Sequence, residues 1–513
     1  MAFLPYPGFQ NDEVLFAQPL FAGGDTLYTG RLGGVRVPLM LLDYLGAWKT
    51  WVYAPILKHW PVSVDSIRLP VVLVCGLTLC IFFQLLHSLH GRRAAIAGVL
   101  LLATDSSFLL TGAFDWGPVA FQHFFLVAVL ALGLFFHRTG RLWVLFAAAF
   151  CAGLGLWDKA LFFWPLSGVC LASIALAPAS WKPSRRKVLA AVLGFSLGAL
   201  PLLYFNATHH LETFASNGHF TLAEFPGKFQ VLKQTWNGSI LFGYLINEES
   251  AANPRAPETT IERYSAALHN AAGTHRTNWM TPALLAALLL LPFFWRTAAR
   301  RPMLFALIAC AAAWFQMAVT RNAGGSAHHA VLLWPLPQAF VAVAIAQAGG
   351  ARWKAGSWLS GALALLLLAG NLLNLNQCFF QLARYGAAGA WTDASRSLYV
   401  GVSKLPAGTP LMVADWGINS TLAVMGRGRL NLNVAIDPFK ATVPSNGDRQ
   451  AARQFFARKD AAWVHFIDSR EQFSGINGRL ARMAAAEGYH KKVIMHIADS
   501  NGRPVFELFR LLR

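Results

Sequence analysis

Residues 67–93 read IRLPVVLVCGLTLCIFFQLLHSLHGRR, an apolar run with one charge that ends in a short basic segment. A helix needs about 20 mainly apolar residues to cross the hydrocarbon core of a bilayer, and residues 67–86 have that length. The segment that follows carries Arg92 and Arg93 and no acidic residue. An apolar run of this length followed by a basic loop predicts a membrane-spanning helix, and the same pairing recurs along the chain.

The overall composition indicates the same class of protein. Hydrophobic residues make up 55% of the 513 residues and charged residues only 13%, whereas soluble domains carry roughly 25% charged residues. The net charge of +19 does not predict nucleic-acid binding, because the basic residues stand in short clusters between apolar segments. The six cysteines have no paired spacing and are interpreted as small core residues. We therefore expect a multi-spanning α-helical membrane protein.

Ten apolar segments are long enough to be assigned as spanning helices. Their approximate bounds are 67–86, 94–112, 117–136, 142–157, 160–178, 188–205, 279–295, 302–320, 329–348 and 356–375. The predicted organisation places six of these helices in 67–205 and four in 279–375. The predicted organisation also contains an extracytoplasmic loop at 1–66, a large extracytoplasmic loop at 206–278 and a soluble extracytoplasmic α/β domain at 385–513.

The orientation follows from five loops that contain Lys or Arg but neither Asp nor Glu, namely 87–93, 137–141, 179–187, 295–301 and 349–354. By the positive-inside rule these loops face the cytoplasm. We thus expect a multi-pass protein of the cell (inner) membrane, with its chemistry and its C-terminal domain on the extracytoplasmic face. Because no apolar segment precedes the outer residues 1–66, we also expect that a first spanning helix is missing upstream.

The first outer segment contains an adjacent pair of carboxylates, Asp12-Glu13, in a polar turn. Further along, apolar and aromatic residues recur at helical spacing across 37–51 with few charges. This pattern predicts amphipathic helices that lie in the plane of the membrane interface. Interfacial aromatic residues such as Trp48 and Trp60 would then sit at headgroup level.

Three further motifs lie on the same predicted outer face. They are Ser66-Ile67-Arg68-Leu69-Pro70, Phe114-Asp115-Trp116-Gly117-Pro118-Val119 and Gly155-Leu156-Trp157-Asp158-Lys159-Ala160. Together with Asp12-Glu13, their order resembles the GT-C superfamily of membrane glycosyltransferases. Within it, the branch of bacterial protein O-mannosyltransferases and the lipid A aminoarabinose transferase (glycosyltransferase family 39 type) is similar over roughly residues 1–380. The resemblance implies a GT-C-like fold and inverting transfer of a sugar from a polyprenyl-phosphate-linked donor.

An acceptor hydroxyl in such a reaction needs a general base, and a carboxylate can serve. We predict that Asp12 is this base, that Glu13 orients it or binds the acceptor, and that Asp115 is a further catalytic carboxylate. The alternative for all three is helix capping at an N-terminus. No cofactor is required, although Asp12 and Asp115 could share a divalent metal ion through oxygen ligands.

The departing phosphate needs cations and hydrogen-bond donors. We predict Lys159, Arg321, His328 and His329 for this role, with Lys49 as a weaker candidate. Arg321 and the two histidines flank a glycine-rich turn whose backbone N–H groups are able to bind an anion. The alternatives are snorkelling at a helix end for Arg321 and interfacial hydrogen bonding for the histidines.

Predictions for the two remaining polar regions are less detailed. The segment 206–278 is predicted to be a lid on the acceptor side, since loops of this length are usually functional or disordered. The C-terminal domain is predicted to contain two helices, 447–459 and 470–487. Its predicted strands are 410–415, 430–436, 462–467, 492–497 and 505–511.

Two other functions remain as alternatives. A transporter or flippase of lipid-linked sugars would suit ten helices, but transporters place ionisable residues near the bilayer midplane and often have repeated halves. A sensor would seldom need so many spans. The partners expected for a transferase are a polyprenyl-phosphate sugar donor, the lipid bilayer and an acceptor that is a glycan, a lipid or a protein. The pattern does not specify the sugar or the acceptor.

Overall fold

The fold is a helical bundle followed by a C-terminal α/β region. The computed structural model describes residues 2–21, 26–178, 184–248, 253–350, 354–458 and 460–513. The longer helices of the bundle are Val64–Ala103, Ser106–Ala113, Val119–Thr139, Leu142–Asp158, Phe163–Leu176, Arg185–Gly198, Leu200–Thr208, Met280–Leu290, Arg300–Val319, Leu336–Gly349 and Lys354–Tyr385. Their side chains are largely aliphatic and aromatic, which suits helices that contact either one another or lipid on every side.

Several of these helices have the length and hydropathy of membrane spans. Among the described residues, four qualify singly: Val64–Ala103, Val119–Thr139, Arg300–Val319 and Gly356–Tyr385. Two bent pairs raise the number to six, and three shorter apolar helices accompany them. The chain is therefore a membrane protein, as its composition predicts, while the division into ten spans stays a prediction.

Breaks in the helices explain why the predicted segments and the observed helices differ in length. The helix Val64–Ala103 is interrupted at His90 and Gly91, and Gly91 has a φ of +84°, a conformation that glycine adopts without steric cost. This break separates the predicted segments 67–86 and 94–112. A second break follows at Asp105, whose carboxylate accepts a hydrogen bond from Phe108 N–H and caps the next helix.

Contacts between basic loops place them at one end of the bundle. Arg93 donates a hydrogen bond of 2.8 Å to the carbonyl of Gly349, and Arg138 donates to the carbonyl of Ser88. Lys187 lies over the ring of Phe136. Four of the five basic loops therefore meet at the same end. Lys182 and Arg352, which belong to these loops, lie outside the described residues.

The N-terminal region corrects one prediction. Residues 37–42 do not form an interfacial helix, because β1 (Tyr28–Leu32), β2 (Val35–Leu42) and β3 (Leu45–Gly46) make an antiparallel sheet. Gly33 and Gly34 join β1 to β2 with φ of +54° and +85°, the sign that a two-residue hairpin turn needs at both positions. The predicted helix is present further on, at Trp48–His59.

The described part of the segment 206–278 is about half helical. It contains the helices Glu212–Asn217, Phe225–Trp236 and Thr260–Ala272. Lys228 attaches the second of these to the bundle by donating a hydrogen bond of 2.6 Å to the carbonyl of Thr320. The long polar segment therefore packs as part of the fold around the end of the bundle opposite the basic loops.

All five predicted C-terminal strands are confirmed: β4 (Leu411–Val413), β5 (Leu432–Val434), β6 (Ala462–Phe466), β7 (His490–Ala498) and β8 (Pro504–Leu512). Their order in the sheet is β5-β4-β6-β8-β7, with β4 parallel to both neighbours and β8 antiparallel to both of its own. Both predicted helices are present, at Asn446–Phe456 and Ile476–Ala486. Two more, Ala394–Val402 and Asn419–Met425, lie on the side toward the N-terminal segment.

Candidate active site

The N-terminal segment is held in place by Arg68, a fully buried residue in the first turns of Val64–Ala103. The guanidinium Nε donates to Glu13 Oε1 at 2.5 Å and Nη2 donates to Glu13 Oε2 at 2.8 Å. The same group also donates to the carbonyls of Leu4, Pro7 and Gly8. Because both oxygens of Glu13 are bound by Arg68, the geometry favours the predicted orienting role of Glu13 over acceptor binding.

Asp12 differs from its neighbour because it forms no ion pair within the described part of the chain. It is half-buried, and its carboxylate is contacted by Asn11 Nδ2 at 3.5 Å. Its own N–H donates to Gln10 Oε1, so Gln10, and not Asp12, caps the helix Asn11–Val14. Burial raises the pKa of the Asp12 carboxyl, while the positive charge of Lys159 and the hydrogen bonds of Asn11 and Gln10 oppose that rise.

Asp115 and Lys49 form a buried ion pair, and each side chain is 1% exposed. Asp115 Oδ1 also accepts a hydrogen bond of 3.2 Å from Ala120 N–H at the start of Val119–Thr139, which is the capping contact considered above. Burial raises the pKa of the Asp115 carboxyl, and the charge of Lys49 opposes this. Apart from its contact with Asp115, Lys49 Nζ has no hydrogen-bond partner among the described residues, so the remaining donors on this ammonium group are free for a ligand.

Lys159 lies between two helices and is fixed by strand β3. The N–H of Ala160 donates to the carbonyl of Tyr44 at 2.9 Å, and Leu45 pairs with Lys159 across the short bridge. Lys159 is 4% exposed and makes no ion pair with a described residue within 4 Å. Burial lowers the pKa of its ammonium to about 8, although Asp12, Asp158 and Asp115 oppose that change.

The two histidines belong to the same cluster, whereas Arg321 does not. His328 lies 5.3 Å from the ring of Trp116, and both histidines are within electrostatic range of Lys159. His329 Nδ1 is buried without a hydrogen-bond partner among the described residues. Arg321 is exposed at the end of Arg300–Val319, where its charge acts on Glu224.

Three residues that the sequence analysis did not assign also belong to the site. One is Arg68, which lies in a quoted motif. Another is Asp158, which is fully buried, accepts a hydrogen bond of 2.9 Å from Gln122 and lies within electrostatic range of Lys159. The third is Tyr44, whose pKa is raised to about 12 by burial and by the nearby Asp12 and Asp43. Asp158 stands next to Lys159 in the quoted motif, so the sequence could have indicated it. No sequence motif indicated Tyr44.

The donor set fits a shared metal ion poorly. Within the described ranges, no group of three or more His, Cys, Asp and Glu side chains is arranged to hold a metal ion. Asp115, one of the two predicted ligands, is already neutralised by Lys49. The side chains of Lys49 and Lys159 bring positive charge to this site, and of the two only Lys159 forms no ion pair with a described residue.

Comparison with solved structures identifies the fold. ArnT from Cupriavidus metallidurans bound to undecaprenyl phosphate is similar with a TM-score of 0.57 and 14% identity, over 99% of this chain and 95% of that one. Its apo state is similar to the same extent, at 15% identity. The Archaeoglobus fulgidus oligosaccharyltransferase in the apo form is similar with a TM-score of 0.51 and 13% identity, over 94% of this chain and 67% of that one.

Sequence comparison adds nothing to this, because neither a protein-family model nor a curated protein matches the chain. Both kinds of structural neighbour are GT-C glycosyltransferases, and the similarity to ArnT runs through the bundle and the C-terminal α/β region alike. The resemblance predicted from the four motifs is thereby confirmed at the level of the fold. The chain is a membrane protein with the GT-C fold.

Proposed function

We propose that the chain is an inverting glycosyltransferase that moves a sugar from a polyprenyl-phosphate-linked donor to an acceptor on the extracytoplasmic face. The observation that carries the proposal is the contrast among three clustered carboxylates. Glu13 and Asp115 are neutralised by Arg68 and Lys49, whereas Asp12 is partly accessible and forms no ion pair with a described residue. A partly accessible carboxylate of raised pKa beside buried cations is suited to general-base catalysis.

In the proposed reaction, Asp12 removes the proton from the acceptor hydroxyl while the hydroxyl oxygen bonds to the anomeric carbon of the donor. The bond between that carbon and the phosphate oxygen breaks, and the polyprenyl phosphate leaves with the electron pair. Lys49 and Lys159 stabilise the charge that develops on the phosphate. Attack opposite the leaving group inverts the anomeric centre.

The donor class is supported by the fold and by the charge of the site. A neighbour with this fold, ArnT, has been solved with undecaprenyl phosphate bound. Two buried ammonium groups next to lipid-facing helices suit a phosphate that stays attached to a membrane lipid. His328 and His329 add hydrogen-bonding nitrogens to the same cluster, while the exposed Arg321 has no part in this proposal.

We also propose where the protein is located and whether transfer depends on a metal ion. Four of the five basic loops lie at one end of the bundle, so the positive-inside rule supports an inner-membrane protein with this site outside. The acceptor remains a glycan, a lipid or a protein hydroxyl. Because lysine side chains supply the positive charge, transfer is expected to need no metal, and EDTA-treated protein is expected to keep its rate.

The test is transfer by the purified protein in liposomes, supplied with a panel of polyprenyl-phosphate sugars and a cell-envelope extract. We expect one donor to be converted to free polyprenyl phosphate and a glycosylated product with the opposite anomeric configuration. Movement of intact donor across the bilayer, with no bond broken for any donor, would identify a flippase instead.

A further inference from the structure

A cavity near the candidate active site is lined by residues of the segment 237–277 and by Gln234 at the end of the preceding helix. It has a volume of about 460 Å³, within the range of roughly 300–1,000 Å³ that is usual for small-molecule sites. Tyr244 lines it and lies 5.9 Å from the ring of Trp116, and Trp116 in turn contacts His328. The side chain of Trp116 therefore lies between this cavity and the turn that carries Asp115.

One wall of the cavity is aromatic and firmly held. Phe242 and Tyr244 flank Gly243, whose φ of +88° allows a tight turn, and Gly243 N–H donates to the carbonyl of Ile246 at 2.8 Å. This turn is anchored on the bundle, because Ala388 N–H donates to the carbonyl of Leu245. Tyr244 is 49% exposed, so a face of its ring is available to a ligand.

The cavity is also lined by neutral polar groups with free hydrogen-bonding capacity. Gln234, Ser239 and Thr277 line the cavity, and none of their side chains hydrogen-bonds to another described residue. An amide and two hydroxyls together both donate and accept hydrogen bonds. They therefore match a ligand whose own groups do both, such as the hydroxyls of a sugar.

The charge of the rim argues against an anionic ligand. Arg276 is paired with Glu248 and also lies over the ring of Phe242 at 5.2 Å. The one cation that lines the cavity is therefore neutralised, in contrast to Lys159 in the site next to it, which forms no ion pair with a described residue. A phosphate or carboxylate would lack an unpaired partner here.

From this combination we infer that the cavity is a carbohydrate subsite that binds one sugar ring. The apolar C–H face of the ring packs on Tyr244, and its hydroxyl edge bonds to Gln234, Ser239 and Thr277. The inference rests on the proposed function only in assigning the ring to a substrate, which is either the acceptor glycan or the sugar of the donor. Binding of a simple sugar tests the subsite without any assumption about catalysis.

Saturation-transfer NMR on the full-length protein in detergent is the binding test, with methyl glucoside, methyl mannoside and methyl N-acetylglucosaminide as probes. We expect transfer to at least one glycoside, with affinity reduced about tenfold in Tyr244→Ala and in Gln234→Ala. Tyr264→Ala is the matched control, because Tyr264 is 73% exposed in the same segment and lies outside the cavity. No glycoside binding, or equal binding by Tyr244→Ala and the control, would overturn the inference.

Kinetics then assign the ring to a substrate. If the acceptor occupies the subsite, Gln234→Ala raises the acceptor KM and not the donor KM, relative to Tyr264→Ala. If the donor sugar occupies it, the donor KM rises instead. Preferential binding of a serine-containing peptide in place of the glycosides would identify a protein acceptor and contradict a carbohydrate subsite.

Discussion

Arg68 and Glu13 form a bidentate ion pair in which the arginine is fully buried and the glutamate carboxylate is bound at both oxygens. The two residues are 55 positions apart. The pair joins the N-terminal segment, with Asp12 in it, to the first long helix of the bundle. The orientation of the proposed base therefore depends on a contact that does not itself touch a substrate.

Neutralising one partner of this pair should destabilise the protein. Glu13→Gln leaves the Arg68 guanidinium buried without a counter-charge, which costs about 3–5 kcal/mol in comparable buried pairs. Arg68→Lys should also destabilise, since lysine cannot bind the carboxylate bidentately. Thermal unfolding in detergent measures both effects. Arg449→Lys, on an exposed C-terminal helix, is the control, and equal melting temperatures for Arg68→Lys and this control would contradict the account.

A second contact holds the same segment from the C-terminal region. Thr421 Oγ1, in the helix Asn419–Met425, lies 3.2 Å from the carbonyl of Phe9 and shares its one donor hydrogen between that carbonyl and the carbonyl of Gly417 at 3.1 Å. Thr421→Val removes this donor, and the resulting shift of Asp12 should lower kcat roughly tenfold at an unchanged donor KM, because small displacements at a reacting centre are costly. Thr421→Ser should restore the rate.

The control for that prediction is Thr409→Val, which removes an exposed hydroxyl bonded to Pro406 on the same region. A normal kcat in Thr421→Val would show that the C-terminal region does not position Asp12. An increase in the donor KM alone would point to substrate binding by that region instead.

The value of kcat/KM should fall on both sides of a pH range, with an acidic limit set by the protonation of Asp12 and an alkaline limit set by the deprotonation of Lys159. Burial raises the pKa of Asp12, so its basic form, and hence activity, is lost on acidification at a higher pH than for an ordinary carboxylate. Burial lowers the pKa of Lys159 to about 8, so its positive charge is lost as the pH rises through that value. We expect Lys159→Arg to move the alkaline limit upward and leave the acidic limit in place, since arginine stays protonated. An unmoved alkaline limit would assign it to another group.

Donor binding should depend on Lys49. Lys49→Gln removes one of the two ammonium groups proposed to bind the phosphate and also leaves Asp115 buried without its counter-charge, so thermal unfolding must first show folded protein. In that folded protein the donor KM should rise at least tenfold, about 1.4 kcal/mol of binding. Lys58→Gln is the matched control, because Lys58 lies on the same helix but is exposed. Equal donor KM values for the two variants would remove Lys49 from the phosphate site.

Local sequence patterns predicted much of the fold. Apolar runs of 17–21 residues became helices, and the five C-terminal strands were found at their predicted places, because hydrophobic periodicity reports directly on such elements. The region 37–42 was misassigned, since a short apolar run fits a strand and a helix alike. The adjacent Gly33-Gly34, a hairpin signal, would have decided the matter.

The candidate site was predictable only in part. Placing Asp12, Asp115 and Lys159 on one predicted face correctly brought them together, because the loops at one end of a bundle are neighbours in space. Which carboxylate is free depends on pairs such as Glu13 with Arg68 and Asp115 with Lys49, which form only on folding. Arg321 also lies on the predicted extracytoplasmic face, but its exposed side chain points away from the site.

The central claim is that Asp12 is the base of a sugar transfer, and its most direct test is the rate of transfer by Asp12→Asn in liposomes. Asp65→Asn is the control, because Asp65 is an exposed carboxylate near the same end of the bundle. Asparagine keeps the size of the side chain but cannot accept a proton at neutral pH. We expect folded protein with the donor KM preserved and kcat lowered by about 10²–10⁴. Transfer by Asp12→Asn at the rate of Asp65→Asn would contradict the claim.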